Sequence, residues 1–399
     1  MSTPTLFDRC LVAVALCSLS AGPVAAQTIA NPSVSNNHLW KLQPSFDTEV
    51  EFDNNVFLLP DQKKAKLTAG APAGTHYADM VSASDAVTTV RAQLSLDGPG
   101  MASKRISIVP EVGYDFYARN AERRTATYGV TVAQKTARGG LLRLKASMQP
   151  QTFFKNYLLD AIDLDASGSI TSGEKLYGPA KQGETTIESD YTLRLRKQSA
   201  QRMMGAALRL SGGWYSRSYN ASFTSRDLKG PTASGKLLLS IAQHSRLDLG
   251  YAFASLAAPR MLNVMLLDEP QFGRDFNNNG TATDLSARAV EMVDRSRTEQ
   301  ELSASFSTDF GATDLELAYA RRTRRFSSTQ PYDIANNGRR DARNEFGGTL
   351  RHKISSAIRL RATAERGAQT LNRANSAVVT GDVADYTRLR TSVSLEYSF

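Results

Sequence analysis

The chain has 399 residues, of which 41% are hydrophobic, and its 48 Lys and Arg against 39 Asp and Glu give a formal net charge of +9. Beyond the amino terminus no apolar run approaches the roughly 18 to 20 residues that a membrane helix needs. That excludes helical spanning but not a closed barrel, whose apolar residues are spread over alternate positions.

Arg9 is followed by an apolar run from Leu11 to Leu19 and then by Val24-Ala25-Ala26 before Gln27. That order of positive, apolar and small residues is a secretory signal, with cleavage expected after Ala26. Leu16 precedes Cys17, where a lipid anchor requires a small residue, so no lipidation is expected. Both cysteines, Cys10 and Cys17, leave with the signal, and the mature chain has neither disulfides nor thiol chemistry. Its basic residues form no single run, and an exported chain rarely meets nucleic acid. Lipopolysaccharide, anionic polysaccharide and small anionic solutes are the expected counterparts. The division is a signal peptide over 1–26, a periplasmic lead-in over 27–43 and a barrel over 44–399.

From Pro44 the chain alternates, with Phe46, Thr48, Val50 and Phe52 on one side and Asp47, Glu49 and Glu51 on the other. A period of two is a strand with one apolar face. Further alternations follow from Val90, Ile106, Tyr128 and Leu142, then around Tyr191 to Leu195, Ala206 to Trp214, Leu237 to Ile241 and Leu247 to Phe253. The last five lie at Leu302 to Phe306, Leu315 to Tyr319, Phe346 to Leu350, Ile358 to Ala364 and Leu389 to Phe399. Pro110 interrupts the third, where a bulge is expected. The pattern predicts about fourteen antiparallel strands in an all-β, up-and-down transmembrane barrel. Connections after odd-numbered strands are mostly long (54–85, 151–185, 257–296, 328–343, 369–385), whereas those after even-numbered strands are short, as at Arg138-Gly139-Gly140. Long external loops and short periplasmic turns sort in this way.

Two stretches carry a family resemblance. Leu389, Thr391, Val393, Leu395, Tyr397 and Phe399 alternate with polar residues up to an aromatic terminus, and this resembles the closing strand of bacterial outer-membrane β-barrels. The resemblance implies handling by the barrel-insertion machinery. Glu51 to Leu58, reading Glu-Phe-Asp-Asn-Asn-Val-Phe-Leu, resembles the opening of proteobacterial porin-like barrels, some of them associated with exopolysaccharide production. It implies an outer-membrane pore for polar or anionic solutes or for export of a polysaccharide.

If the apolar positions face lipid, their alternates face the lumen. Arg143, Arg194, Arg196, Arg209, Arg359, Arg361, Arg388 and Arg390 then line a pore. Two readings stay open: a basic wall that favours anions, or pairing of these bases with acids such as Asp47, Glu49 and Glu51 along neighbouring strands.

Within the connection 151–185, Asp163, Asp165, Ser167, Ser169, Thr171 and Glu174 surround Gly168 at the positions of a twelve-residue EF-hand loop. Hard cations want several oxygens, and Glu174 can close the shell with both of its own, so Ca2+ is expected here. Asp275, Asn277, Asn279 and Thr281 repeat the start of that pattern, with Asp284 in place of the terminal acid. The plain alternatives are a solvated acidic loop and an Asn/Gly-rich turn. His38, His76, His244 and His352 form no readable constellation with a serine and an acid, so an enzyme is not expected. The other expectation is a closed structural or adhesive barrel that binds surface glycan or lipopolysaccharide through its loops.

Overall fold

The structure, a computed structural model, describes residues 40–65, 67, 75–100, 105–136, 140–161, 175–196, 205–259, 261–262, 292–329, 333, 336–372 and 385–398. The expected signal segment, both calcium-type loops and Phe399 lie outside these residues. The strands in chain order begin with β1 (Lys41–Asp53), β2 (Asp85–Pro99), β3 (Arg105–Tyr117), β4 (Thr125–Lys135), β5 (Leu141–Ala161) and β6 (Lys175–Arg196). They continue with β7 (Gly205–Tyr219), β8 (Leu228–Ser240), β9 (Ser245–Leu256), β10 (Met261–Leu262), β11 (Met292–Val293) and β12 (Arg297–Phe310). The last four are β13 (Thr313–Phe326), β14 (Arg340–Lys353), β15 (Ile358–Asn372) and β16 (Tyr386–Ser398). Fourteen of them form one closed antiparallel barrel in which β1 pairs with β16, while β10 and β11 make a separate two-stranded hairpin.

Closure follows from the alternation. Val50 stands opposite Val393 and Thr48 opposite Leu395, while Glu49 meets Ser394 and Asp47 meets Glu396. One register therefore sends every apolar residue of the seam outward and every charged one inward, because a slip of one residue exchanges the faces. Among the described residues nothing covers these outward side chains: Phe346 is 60% exposed, Leu302 59% and Ile187 57%.

The expected Pro110 bulge is absent. Gln93 pairs with Glu111 and Leu96 with Ile108 in the same register, and the ladder only lapses opposite Pro110, which has no N–H to donate. Real bulges lie in the β5–β6 hairpin, between Gln149 and Thr152, Phe153 and Lys155, and Leu158 and Asp160. They break the period of two, so residues expected to form a long connection over 151–185 instead extend both strands until Ala161 meets Lys175.

The connection after β1 packs across the long-loop end. Val56, Phe57, Leu59 and Met80 form a buried cluster with Phe153 of β5. Asn55, fully buried, donates Nδ2 to the carbonyls of Leu59 (2.8 Å) and Thr387 (3.0 Å) and accepts from the Leu59 N–H (2.7 Å). Each such buried group left unmet costs about 1–3 kcal/mol. Arg388 clamps Asp53 just before it, with Nε at 2.9 Å from Oδ2. The segment resembling porin-like barrels thus does structural work, tying β1 to β16 and to β5.

Candidate functional site in the barrel lumen

Antiparallel register brings the inward side chains of neighbouring strands into rows across the wall. At the seam one row runs Arg361, Ser394, Glu49, and the next Arg359, Glu396, Asp47, Arg91. Ser394 is small and buried, so Arg361 passes over it, bonding Ser394 Oγ at 3.0 Å on the way. Its Nη2 reaches Asp47 at 3.4 Å and Glu49 at 3.5 Å. Arg91 approaches the same two carboxylates from the other side, at 3.2 and 3.4 Å. Two acids thereby share two guanidinium groups across four strands. Arg390 bonds Glu365 at 2.5 Å and stands 3.8 Å from Glu51, and Arg359 pairs with Glu396 at 2.9 Å. Charge-assisted bonds of this kind are about twice as strong as neutral ones.

Elsewhere Arg143 bonds Asp190 at 3.0 Å, and Arg209 lies 3.8 Å from the same carboxylate. Arg194 is exposed and makes no ion pair among the described residues, and the side chain of Arg196 lies outside them. Of the expected pore-lining arginines, six therefore hold carboxylates: Arg143, Arg209, Arg359, Arg361, Arg388 and Arg390.

A second set of charges lines the wall farther round the barrel. Arg322 bonds Glu301 at 2.6 Å, Arg324 meets Glu299 at 3.2 Å and Arg297 meets it at 2.7 Å, all on β12 and β13. Facing them, Arg217 on β7 holds Glu184 on β6 at 2.8 Å. Between the two walls the rows carry only small side chains. One runs Asp190, Ser211, Ser234, Ala252, Glu301, and the next Glu188, Gly213, Thr232, Ala254, Glu299. Over that floor lies a cavity of about 410 Å³. The alternation places Glu301 inward, but Glu184, Arg217, Arg297, Glu299, Arg322 and Arg324 were missed because the strands were expected to end at Trp214 and Tyr319 and to begin at Leu302. The signal was present in the alternation of Arg297, Glu299 and Glu301 and of Arg322 with Arg324.

A further cavity of about 390 Å³ opens near the short-turn end, beside His244, Arg246, Asp248, Glu316 and Arg351. His244 Nδ1 lies 2.7 Å from Asp309 there, and His352 Nδ1 lies 2.8 Å from Thr313 Oγ1. His76 is buried in the first connection, its ring edge-on to Tyr77 and Tyr177. Among the described residues no group of three or more His, Cys, Asp or Glu is arranged to hold a metal ion. Asp163, Asp165, Ser167, Ser169, Thr171 and Glu174, and likewise Asp275, Asn277, Asn279, Thr281 and Asp284, lie outside them.

No protein-family model and no curated protein matches the sequence. Among solved structures the chain is similar to the outer membrane channel DcaP of Acinetobacter baumannii, at 10% identity and a TM-score of 0.40, with 92% of this chain and 99% of that chain covered. It is also similar to OccAB3 of Acinetobacter baumannii, at 9% identity and a TM-score of 0.39, covering 90% of this chain and 99% of that one. OccD3 (OpdP) of Pseudomonas aeruginosa shares 9% identity with a TM-score of 0.38, over 90% of this chain and 91% of that one. At these values the likeness is one of coarse architecture, and no residue role passes from those proteins to this chain.

Proposed function

We propose that the chain is a porin-like barrel of a bacterial outer membrane, passing small polar or charged solutes passively through its lumen. The observation that carries this reading is the division of each strand into two faces. Uncovered apolar residues such as Leu302 and Phe346 point outward and ion-paired charges point inward around a cavity. An uncovered apolar belt marks a surface made for lipid or another partner, and closure satisfies the backbone without water. Charges in such number require a wet or fully paired interior. Eight strands leave a barrel filled by side chains and sixteen a channel, so fourteen leave room for a path that the side chains narrow.

In this reading the long connections face outward and the short turns the periplasm. The closing strand is the part addressed to the insertion machinery. The loops 163–174 and 275–286 take up Ca2+ outside the cell and order the mouth, the first of them joining Ala161 and Lys175, which already pair. An anionic polysaccharide is the more specific cargo suggested by the resemblance at Glu51 to Leu58. Asp53, Asn55, Val56 and Phe57 are occupied in holding the first connection, so the paired arginines of the lumen are what touch the cargo.

The test is conductance of the refolded mature chain in a planar bilayer under a salt gradient, with Ca2+ added and then chelated. Steady conductance is expected, with a calcium-dependent change in its gating. Silence from a protease-protected, inserted barrel overturns the pore and leaves the closed adhesive barrel.

A further inference from the structure

The outward face of β13, β14 and β15 departs from the rest of the belt. Near the long-loop end it carries Arg321 and Arg325 on β13, Arg340 on β14 and Arg366 on β15, all four exposed. Their direction is set by their neighbours, since Arg322 and Arg324 turn inward to Glu301 and Glu299. Inside the barrel most arginines hold carboxylates; these four make no ion pair among the described residues. None of the outward positions of β13 to β15 is an Asp or Glu. Arg325 and Arg340 are direct cross-strand partners. Like charges so placed destabilise a sheet unless an anion lies between them.

Their level on the barrel matters. Arg321 lies two residues beyond Tyr319, and Arg366 is the cross-strand partner of Phe346. The Tyr319 and Phe346 rings pack 4.7 Å apart, and Tyr319 Oη donates to Asn344 at 3.1 Å. Below them Leu317 and Leu350 continue the apolar face. Aromatic girdles mark the edge of the hydrocarbon, where an arginine is tolerated far better than at the midplane. By strand geometry the patch, from Arg366 level with Tyr319 up to the Arg325 and Arg340 pair, is about 20 Å tall and about 10 Å wide.

Resting on the membrane-barrel reading above, we infer that these four arginines form a binding site for the phosphorylated headgroup of a lipopolysaccharide molecule in the outer leaflet. Guanidinium groups suit phosphate because their forked donors bind two oxygens at once, and an anion between Arg325 and Arg340 relieves their repulsion. A second copy of the chain fits less well, since its β13 to β15 face offers no carboxylate in return. The apolar stripe beneath the arginines runs in the direction of the acyl chains, so one lipid meets both parts of the surface.

The test uses the full mature chain, refolded and shown by protease protection to insert into vesicles. Native mass spectrometry then measures retention of bisphosphorylated lipid A and of the same lipid stripped of phosphate. The parent is expected to hold the phosphorylated lipid at least tenfold more tightly. Arg325→Gln with Arg340→Gln should lose that preference while keeping the parent's conductance. Arg321→Gln with Arg366→Gln serves as a second pair should the first fold poorly. Equal retention of the two lipids by the parent, or an unchanged preference in the variants, overturns the site. So does a change of oligomeric state in the variants without any dependence on phosphate, which assigns the patch to a second copy. A chain that never inserts is distinguished by its protease sensitivity and overturns the barrel reading itself.

Discussion

The seam and the opposite arc of the wall are built from the same kinds of residue and end differently. At the seam one small residue, Ser394, stands between Arg361 and Glu49, so the two charges are about 10 Å apart along the wall. Arginine spans that gap, and the acids Asp47 and Glu49 are held from both sides. On the other arc, Ser211, Ser234 and Ala252 separate Asp190 from Glu301, a distance of about 19 Å along the wall. No ion pair among the described residues closes it, and a cavity of about 410 Å³ remains. The width of the small-residue floor, more than the number of charges, decides whether a charged wall closes on itself or lines a path.

The largest effect is expected from removing that width. Ala252→Trp with Ala254→Trp should fill the floor and cut single-channel conductance severalfold, while the apolar outer face and the seam stay as they are. Unchanged conductance would place the path elsewhere in the lumen. Next comes the seam, where Ser394→Leu puts a branched side chain into a buried position under Arg361. Overpacking of this kind costs about 1–3 kcal/mol, readable as earlier unfolding of the detergent-solubilised barrel in urea. Full stability in that variant would mean that Arg361 does not need its route to Asp47 and Glu49. The smallest effect concerns two bases at the short-turn end, of which Arg194 makes no ion pair among the described residues: Arg194→Glu with Arg196→Glu should move the reversal potential modestly toward cations. No movement would remove these two from the conduction path.

Much of this was legible from the strands with one uninterrupted period, such as β1 and β16. Their alternation of Phe46, Val50, Val393 and Leu395 with Asp47, Glu49, Arg388 and Arg390 announces both faces. The fourteen-strand count and the division into long and short connections followed. The β5–β6 hairpin was illegible because its three bulges shift the face of every residue beyond them. The upper ends of β12 and β13 were missed for another reason. There both faces carry charge or hydroxyl groups, as in Arg321-Arg322-Thr323-Arg324-Arg325, so hydrophobicity no longer reports direction.

By itself the amino-acid sequence determined a closed, two-faced all-β barrel, since a side-chain period of two admits only one assignment of faces once one of them is apolar. Partnership was decided by the tertiary structure. Whether Arg361 meets an acid, whether Arg325 meets another arginine, and whether a row of serines and alanines becomes a floor all depend on which residue the register sets beside it. That register couples positions as far apart as Asp47 and Arg361, a separation over which no local pattern in the chain carries information.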